Sequence, residues 1–192
     1  NKDAAFGMKP VRMIGGAPYT GGQSRYRIAA NYGTSIFQGD MVAQVTGGTV
    51  EVHADGGTVP VVGVFNGVQY TDPTSGDQVF SNYYPASTNA SDIIAFIIDD
   101  PDVVYEVQAD DTFPVTDLFG NFDIVYTSAG STSTGISGAE LDVTTGATAT
   151  TLPIKAIDIS EDPNNSDTGA ANTNVLVVIQ NSVFGVKGAG LA

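Results

Sequence analysis

The sequence predicts an all-β fold: a single β-barrel or sandwich of about ten short strands, with an extended N-terminal arm. Three observations predict it. Apolar or alternating runs of roughly four to seven residues recur at a spacing of ~8–12, each closed by Gly, Pro, Asn or Asp. Glycine is plentiful, at 23 residues, alongside abundant Thr and scarce Lys and Glu, a balance that disfavours helices and favours strands joined by turns. Finally, the bases crowd into one end of the chain, setting the arm apart from the rest.

The arm is expected over residues 1–23. Phe6, Met8, Pro10, Val11, Met13, Ile14 and Tyr19 make it too apolar for a free tail. Gly15-Gly16-Ala17-Pro18 and Thr20-Gly21-Gly22 prevent a helix and permit a hinge. The body is expected over residues 24–184 as one compact core, and residues 185–192 as a flexible, Gly-rich tail.

Within the body, Ser24-Arg25-Tyr26-Arg27-Ile28-Ala29 alternates as a first strand. The run Ile36-Phe37-Gln38-Gly39-Asp40-Met41-Val42 turns at Gly39-Asp40 before a strand at 41–46, and Gly47-Gly48 forms a hairpin into residues 49–54. Residues 61–65 and 68–71 flank Asn66-Gly67, which predicts either a hairpin turn or a bulge. Strands follow at 78–84, 93–99 and 103–109. The unbroken apolar run Ile93-Ile94-Ala95-Phe96-Ile97-Ile98 predicts a fully buried central strand. Residues 114–121 hold the one helical turn, stopped at Gly120. Further strands are expected at 122–127, 140–143, 154–159 and 174–180, with a Gly/Ser/Thr loop at 128–137 and a turn at Gly146.

The net charge of −14 is unevenly distributed. Lys2, Lys9, Arg12, Arg25 and Arg27 face a single acid, Asp3, in the first 27 residues, a net +4. The remaining 165 residues hold 20 acids against Lys155 and Lys187, a net −18. Such a body repels nucleic acid and anionic membranes, so neither is expected as a partner. No apolar run approaches the ~18–20 residues needed to span a bilayer.

Catalytic patterns are absent. Cysteine is missing, which removes disulfides and thiolate metal sites. The only histidine, His53, is expected on the solvent face of its strand beside Glu51, with Val50 and Val52 facing the core. Gly135-Ile136-Ser137-Gly138 fails the G-x-S-x-G spacing because Ala139 stands where the last glycine belongs. No phosphate-binding glycine loop or H-E-x-x-H occurs. The acid clusters Asp99-Asp100-Pro101-Asp102 and Asp110-Asp111, with Glu106 between them, lack the spacing of a calcium loop and read as solvated turns. No enzyme, cofactor or metal is therefore expected.

Several short motifs together carry a resemblance. Ala5-Phe6-Gly7-Met8-Lys9-Pro10-Val11-Arg12, Gly16-Ala17-Pro18-Tyr19 and Arg25-Tyr26-Arg27-Ile28 open the chain. Ile36-Phe37-Gln38-Gly39-Asp40-Met41-Val42, Gly63-Val64-Phe65-Asn66-Gly67, Asp99-Asp100-Pro101 with Tyr105-Glu106-Val107-Gln108, and Gly135-Ile136-Ser137 with Leu141-Asp142 follow in order. The pattern resembles the decoration (cement) proteins of tailed-bacteriophage capsids. That resemblance implies an all-β, non-enzymatic virion subunit on the outer capsid surface, bound to the major capsid protein and self-associating, often as a trimer. On this reading the arm lays Phe6, Met8, Lys9, Arg12, Met13, Tyr19 and Arg25 against the shell, and removing residues 1–22 is expected to leave a folded body. Other virion positions (tail or neck) and a calcium- or glycan-binding adhesion module are the alternatives.

Overall fold

The computed structural model describes residues 1–185, and within them fourteen strands form three antiparallel sheets. The first sheet runs β1 (Lys9–Met13), β10 (Val103–Gln108), β14 (Asn174–Ile179), β13 (Ile154–Ile159), β11 (Asn121–Tyr126) and β12 (Ala139–Ala147). The second runs β2 (Ser24–Arg27), β9 (Ile94–Ile98), β6 (Val61–Thr71), β4 (Met41–Val45) and β5 (Thr49–Val52), with β7 (Gln78–Ser81) beside the second half of β6. A small ribbon pairs β3 (Ile36–Phe37) with β8 (Tyr83–Tyr84). Among the described residues the only helical segment is a 3-10 turn at Val115–Asp117, where the helical turn was expected.

The period-2 alternation of apolar residues decides how these sheets stack. Tyr105, Val107, Phe122, Ile124, Leu141 and Val177 of the first sheet meet Met41, Val61, Val64 and Ile98 of the second in one core. The opposite face of the second sheet presents Val42, Val62, Phe65, Val68, Ala95 and Ile97 to a second core. Ile28, Ile36, Tyr84 and Ile93, from the ribbon and its flanking loops, cover that core. The centre of the second sheet is therefore apolar on both sides. Neither sheet closes its hydrogen-bonding into a barrel, so the architecture is that of a sandwich.

One open choice is settled and two local expectations resolve differently. Residues 61–71 make one strand instead of a hairpin, because both halves pair with β9; Asn66 is the extra residue where the register steps from Phe65–Ile97 to Gly67–Phe96. The apolar run of β9 is not fully buried: Ile94 and Phe96 face the side that the first sheet leaves partly open. Among strands longer than two residues, the one buried at every position is β10, which contains Glu106 and Gln108. At residues 143–146 the chain makes no terminal turn at Gly146. It loops out opposite Phe122 and rejoins β11 where Ala147 faces Asn121.

The arm is extended but is not separate from the body. Its residues 9–13 are β1, the edge strand of the first sheet, paired from Lys9–Glu106 to Met13–Val103. The reason is apolar: Met8, next to it, is 1% exposed and belongs to the first core. Of the expected tail only Gly185 falls within the described residues.

Candidate functional site

The N-terminal segment is laid on the chain's own surface by a run of hydrogen bonds. The Asn1 side chain donates to the carbonyls of Asp167 (2.8 Å) and Ala170 (3.2 Å). Gln108 accepts from Ala4 N at 2.9 Å and donates to Lys2 O at 2.9 Å, and Asn165 also donates to Lys2 O at 2.8 Å. Met8 N donates to Gly39 O at 2.9 Å. Gly7 makes the passage possible: its φ is +68°, and a Cβ there would lie 2.6 Å from Ser137 Cβ.

Of the residues expected to touch a partner, Met8 is the one withdrawn, since it is enclosed in the core. Met13 and Tyr19 are half-buried and packed against that same core. Phe6 is half-buried under Lys9, whose Nζ stands 5.9 Å from the ring centroid. Lys9 keeps 63% of its side chain exposed while bridging Glu106 Oε2 at 3.3 Å. Arg12 is half-buried and donates to Met13 O at 3.4 Å. Arg25 is exposed, 5.7 Å over the Phe96 ring, and donates to Gln69 Oε1 at 3.2 Å.

Where the first sheet's edge leaves the second sheet, Phe6, Met8, Pro10, Val64, Ile98 and Ile136 line an apolar crevice of about 220 Å³, with Lys9 beside them. Ile136, 40% exposed, was not anticipated as a surface contact. Its only sequence signal is an isolated large apolar residue in a Gly/Ser/Thr loop.

His53 is not on the solvent face. Strand β5 ends at Val52, so the alternation that assigned it outward stops one residue short. His53 is 1% exposed, its backbone N bonds Met41 O at 2.9 Å, and its Nε2 lies 3.0 Å from Val59 O. A carbonyl only accepts, so Nε2 carries the proton and donates. Ser137 is buried too, and its hydroxyl donates to Asp40 Oδ1. Among the described residues no group of three His, Cys, Asp or Glu could hold a metal ion. Glu106 is held by Lys9, by the Ser160 hydroxyl at 2.5 Å and by Asn174 Nδ2 at 3.3 Å, a network that fastens β1 and the 160–174 segment to β10.

Asp40 has the most informative titration. Burial raises its pKa from 3.8 to about 6, against the lowering pull of Phe37 N and the Ser137 hydroxyl. The folded state therefore holds this proton more tightly than the unfolded chain does. Its contribution to stability is complete below pH ~4 and is lost as pH rises through about 6. A shift of that size corresponds to about 3 kcal/mol across the window. Asp110, Asp123 and Glu140 are raised by burial as well and act in the same sense. Thermal melts are expected to show stability falling from pH 4 to 7, with Asp40→Asn flattening part of that fall. An unchanged profile in the variant would assign the slope to the other carboxyls.

No family model, no curated protein and no solved structure matches this chain.

Proposed function

We propose that the chain is a virion structural protein, a decoration subunit that binds the outer surface of a capsid shell and stabilises it. The observation that supports this reading most is the position of the N-terminal bases. Lys9 stands beside an apolar crevice, and Arg12 follows the exposed Val11 in the same strand, with the exposed Ile14 two residues on, while the remaining acids give the body a net charge of −18. Apolar contact rimmed by positive charge suits an acidic protein surface. Single exposed ion pairs contribute only about 0–1 kcal/mol, so apolar burial and many copies per particle must supply most of the affinity. The order of motifs, which resembles that of capsid decoration proteins, supports the same reading, and with it self-association, a trimer being the form the resemblance implies.

The proposed partner is the major capsid protein. Shells lacking this chain should bind it in co-sedimentation, and raising the salt from about 50 to 500 mM should weaken that binding several-fold. Labelled chain imaged on whole particles should mark the shell; label confined to the tail would exclude the decoration reading.

A further inference from the structure

The two sheets each have six strands, but part of the face that the second turns toward the first lies outside their shared core. Cross-strand pairs define that part. Arg25 pairs with Phe96 and Phe96 with Gly67; Arg27 pairs with Ile94, Ile94 with Gln69 and Gln69 with Phe80. Directly paired residues point to the same side. The opposite side of these strands carries Tyr26, Ala95, Val68 and Val79 toward the second core. The first sheet covers the face where Met41, Val61, Val64 and Ile98 stand.

The uncovered part departs from an ordinary solvated sheet face. Phe80 is 66% exposed, the most exposed large apolar side chain among the described residues. Beside it, Gly67 has no side chain, leaving a depression of about 290 Å³ walled by Phe80 and Phe96. The rim amides are already tied down: Asn66 donates to Gln23 at 2.8 Å and accepts from Gln38 at 2.9 Å, and Asn82 donates to Thr134 O at 2.7 Å. Asp92 is the acid at this rim, and its carboxylate is engaged by the Thr71 amide (3.1 Å) and hydroxyl (2.6 Å). Against it stand two of the chain's seven basic side chains, Arg25 and Arg27, both exposed.

We infer that this face, formed by β2, β9, β6 and β7, docks an acidic protein surface, with Phe80 entering an apolar pocket of the partner and Arg25 and Arg27 pairing with its carboxylates. Aromatic and arginine side chains at the centre of a polar rim are the residues that carry most binding energy in protein interfaces. Charge selects the sign of the partner, because a chain with 21 acids places two arginines here and holds the nearby carboxylate in internal bonds. Single-stranded nucleic acid would also stack on exposed aromatics, but two arginines on a chain of net charge −14 neutralise few phosphates. The identity of the partner as the capsid shell rests on the proposal above; the location and chemistry of the face do not.

Phe80→Ala and the double variant R25E/R27E test it, with Phe119→Ala, another exposed phenylalanine, as control; melting curves verify that all three fold. If the wild type binds undecorated shells, both face variants should bind about ten-fold more weakly and the control equally well. Equal binding by all four proteins overturns the docking face and leaves the attachment reading standing. If the wild type does not bind shells, the attachment reading fails. The face is then decided by NMR titration with an eight-residue peptide of alternating Glu and Leu. Amide shifts at residues 25, 27, 80 and 96 that disappear in Phe80→Ala support it, and their absence overturns it. A twelve-nucleotide oligothymidine that shifts the same amides at lower concentration than the peptide also overturns it, in favour of single-stranded nucleic acid.

Discussion

Removing residues 1–13 is expected to abolish the native fold, not merely attachment. Strand β10, buried at all six positions, would lose its edge partner, and its exposed amides and carbonyls would become a template for pairing with other chains. The first core would also lose Met8, which is 1% exposed. Met8→Ala alone should cost about 2–5 kcal/mol, the range for truncating a fully buried methionine. Urea denaturation followed by circular dichroism checks both: the truncation should show no cooperative transition or should aggregate, and Met8→Ala should move the midpoint down with little change in slope. A truncation that unfolds like the full chain would restore the separable arm. The consequence for function is practical. Loss of capsid binding after truncation would say nothing about attachment, so contact tests belong at exposed side chains such as Arg25 or Phe80.

Gly63→Ala should be about as damaging for a different reason. Gly63 lies in β6 between β4 and β9, and a Cβ there would overlap the Ile98 carbonyl of β9, with the Ile98 carbonyl carbon at 2.8 Å and Ile97 Cγ2 at 2.7 Å. The obstruction is mainly backbone in a paired strand, so neither a rotamer change nor a local shift relieves it. The sheet would have to spread where both cores meet it. Overpacking of this kind costs about 1–3 kcal/mol when side chains can yield, and the rigid neighbour here places Gly63→Ala at or above the upper end. Gly22→Ala, where a Cβ meets nothing within 4 Å, should change stability by less than about 0.5 kcal/mol. A midpoint for Gly63→Ala indistinguishable from that of Gly22→Ala would show that the sheets separate more easily than their packing indicates.

Much of the fold was legible because strands advertise themselves locally. Residues 24–29, 41–46, 49–54, 103–109 and 154–159 alternate or cluster between turn residues, and each became a strand within a residue or two. The bulge at Asn66 was one of two readings the Asn-Gly pair allowed. Only pairing with β9 could choose between them, because the choice depends on a partner nearly thirty residues away. His53 was misplaced because alternation was carried one residue past the end of β5. The candidate surface was less legible. Arg25 and Phe6 were named from residue type, whereas Phe80, Phe96 and Ile136 matter only through neighbours that the chain brings from far away.

The sequence by itself determined that the protein is all-β, that its described residues lack a thiolate or multi-histidine centre, and that its first 27 residues carry +4 against −18 in the rest. Those properties follow from residue type and short-range periodicity. Only the tertiary structure decided what the N-terminal segment is. Its charge and apolar content suited an arm reaching for another molecule, and equally an edge strand completing its own sheet. The second outcome arises because β10 needed a partner on that side and Met8 fits the core there, leaving the bases on the surface while drawing the backbone into the fold.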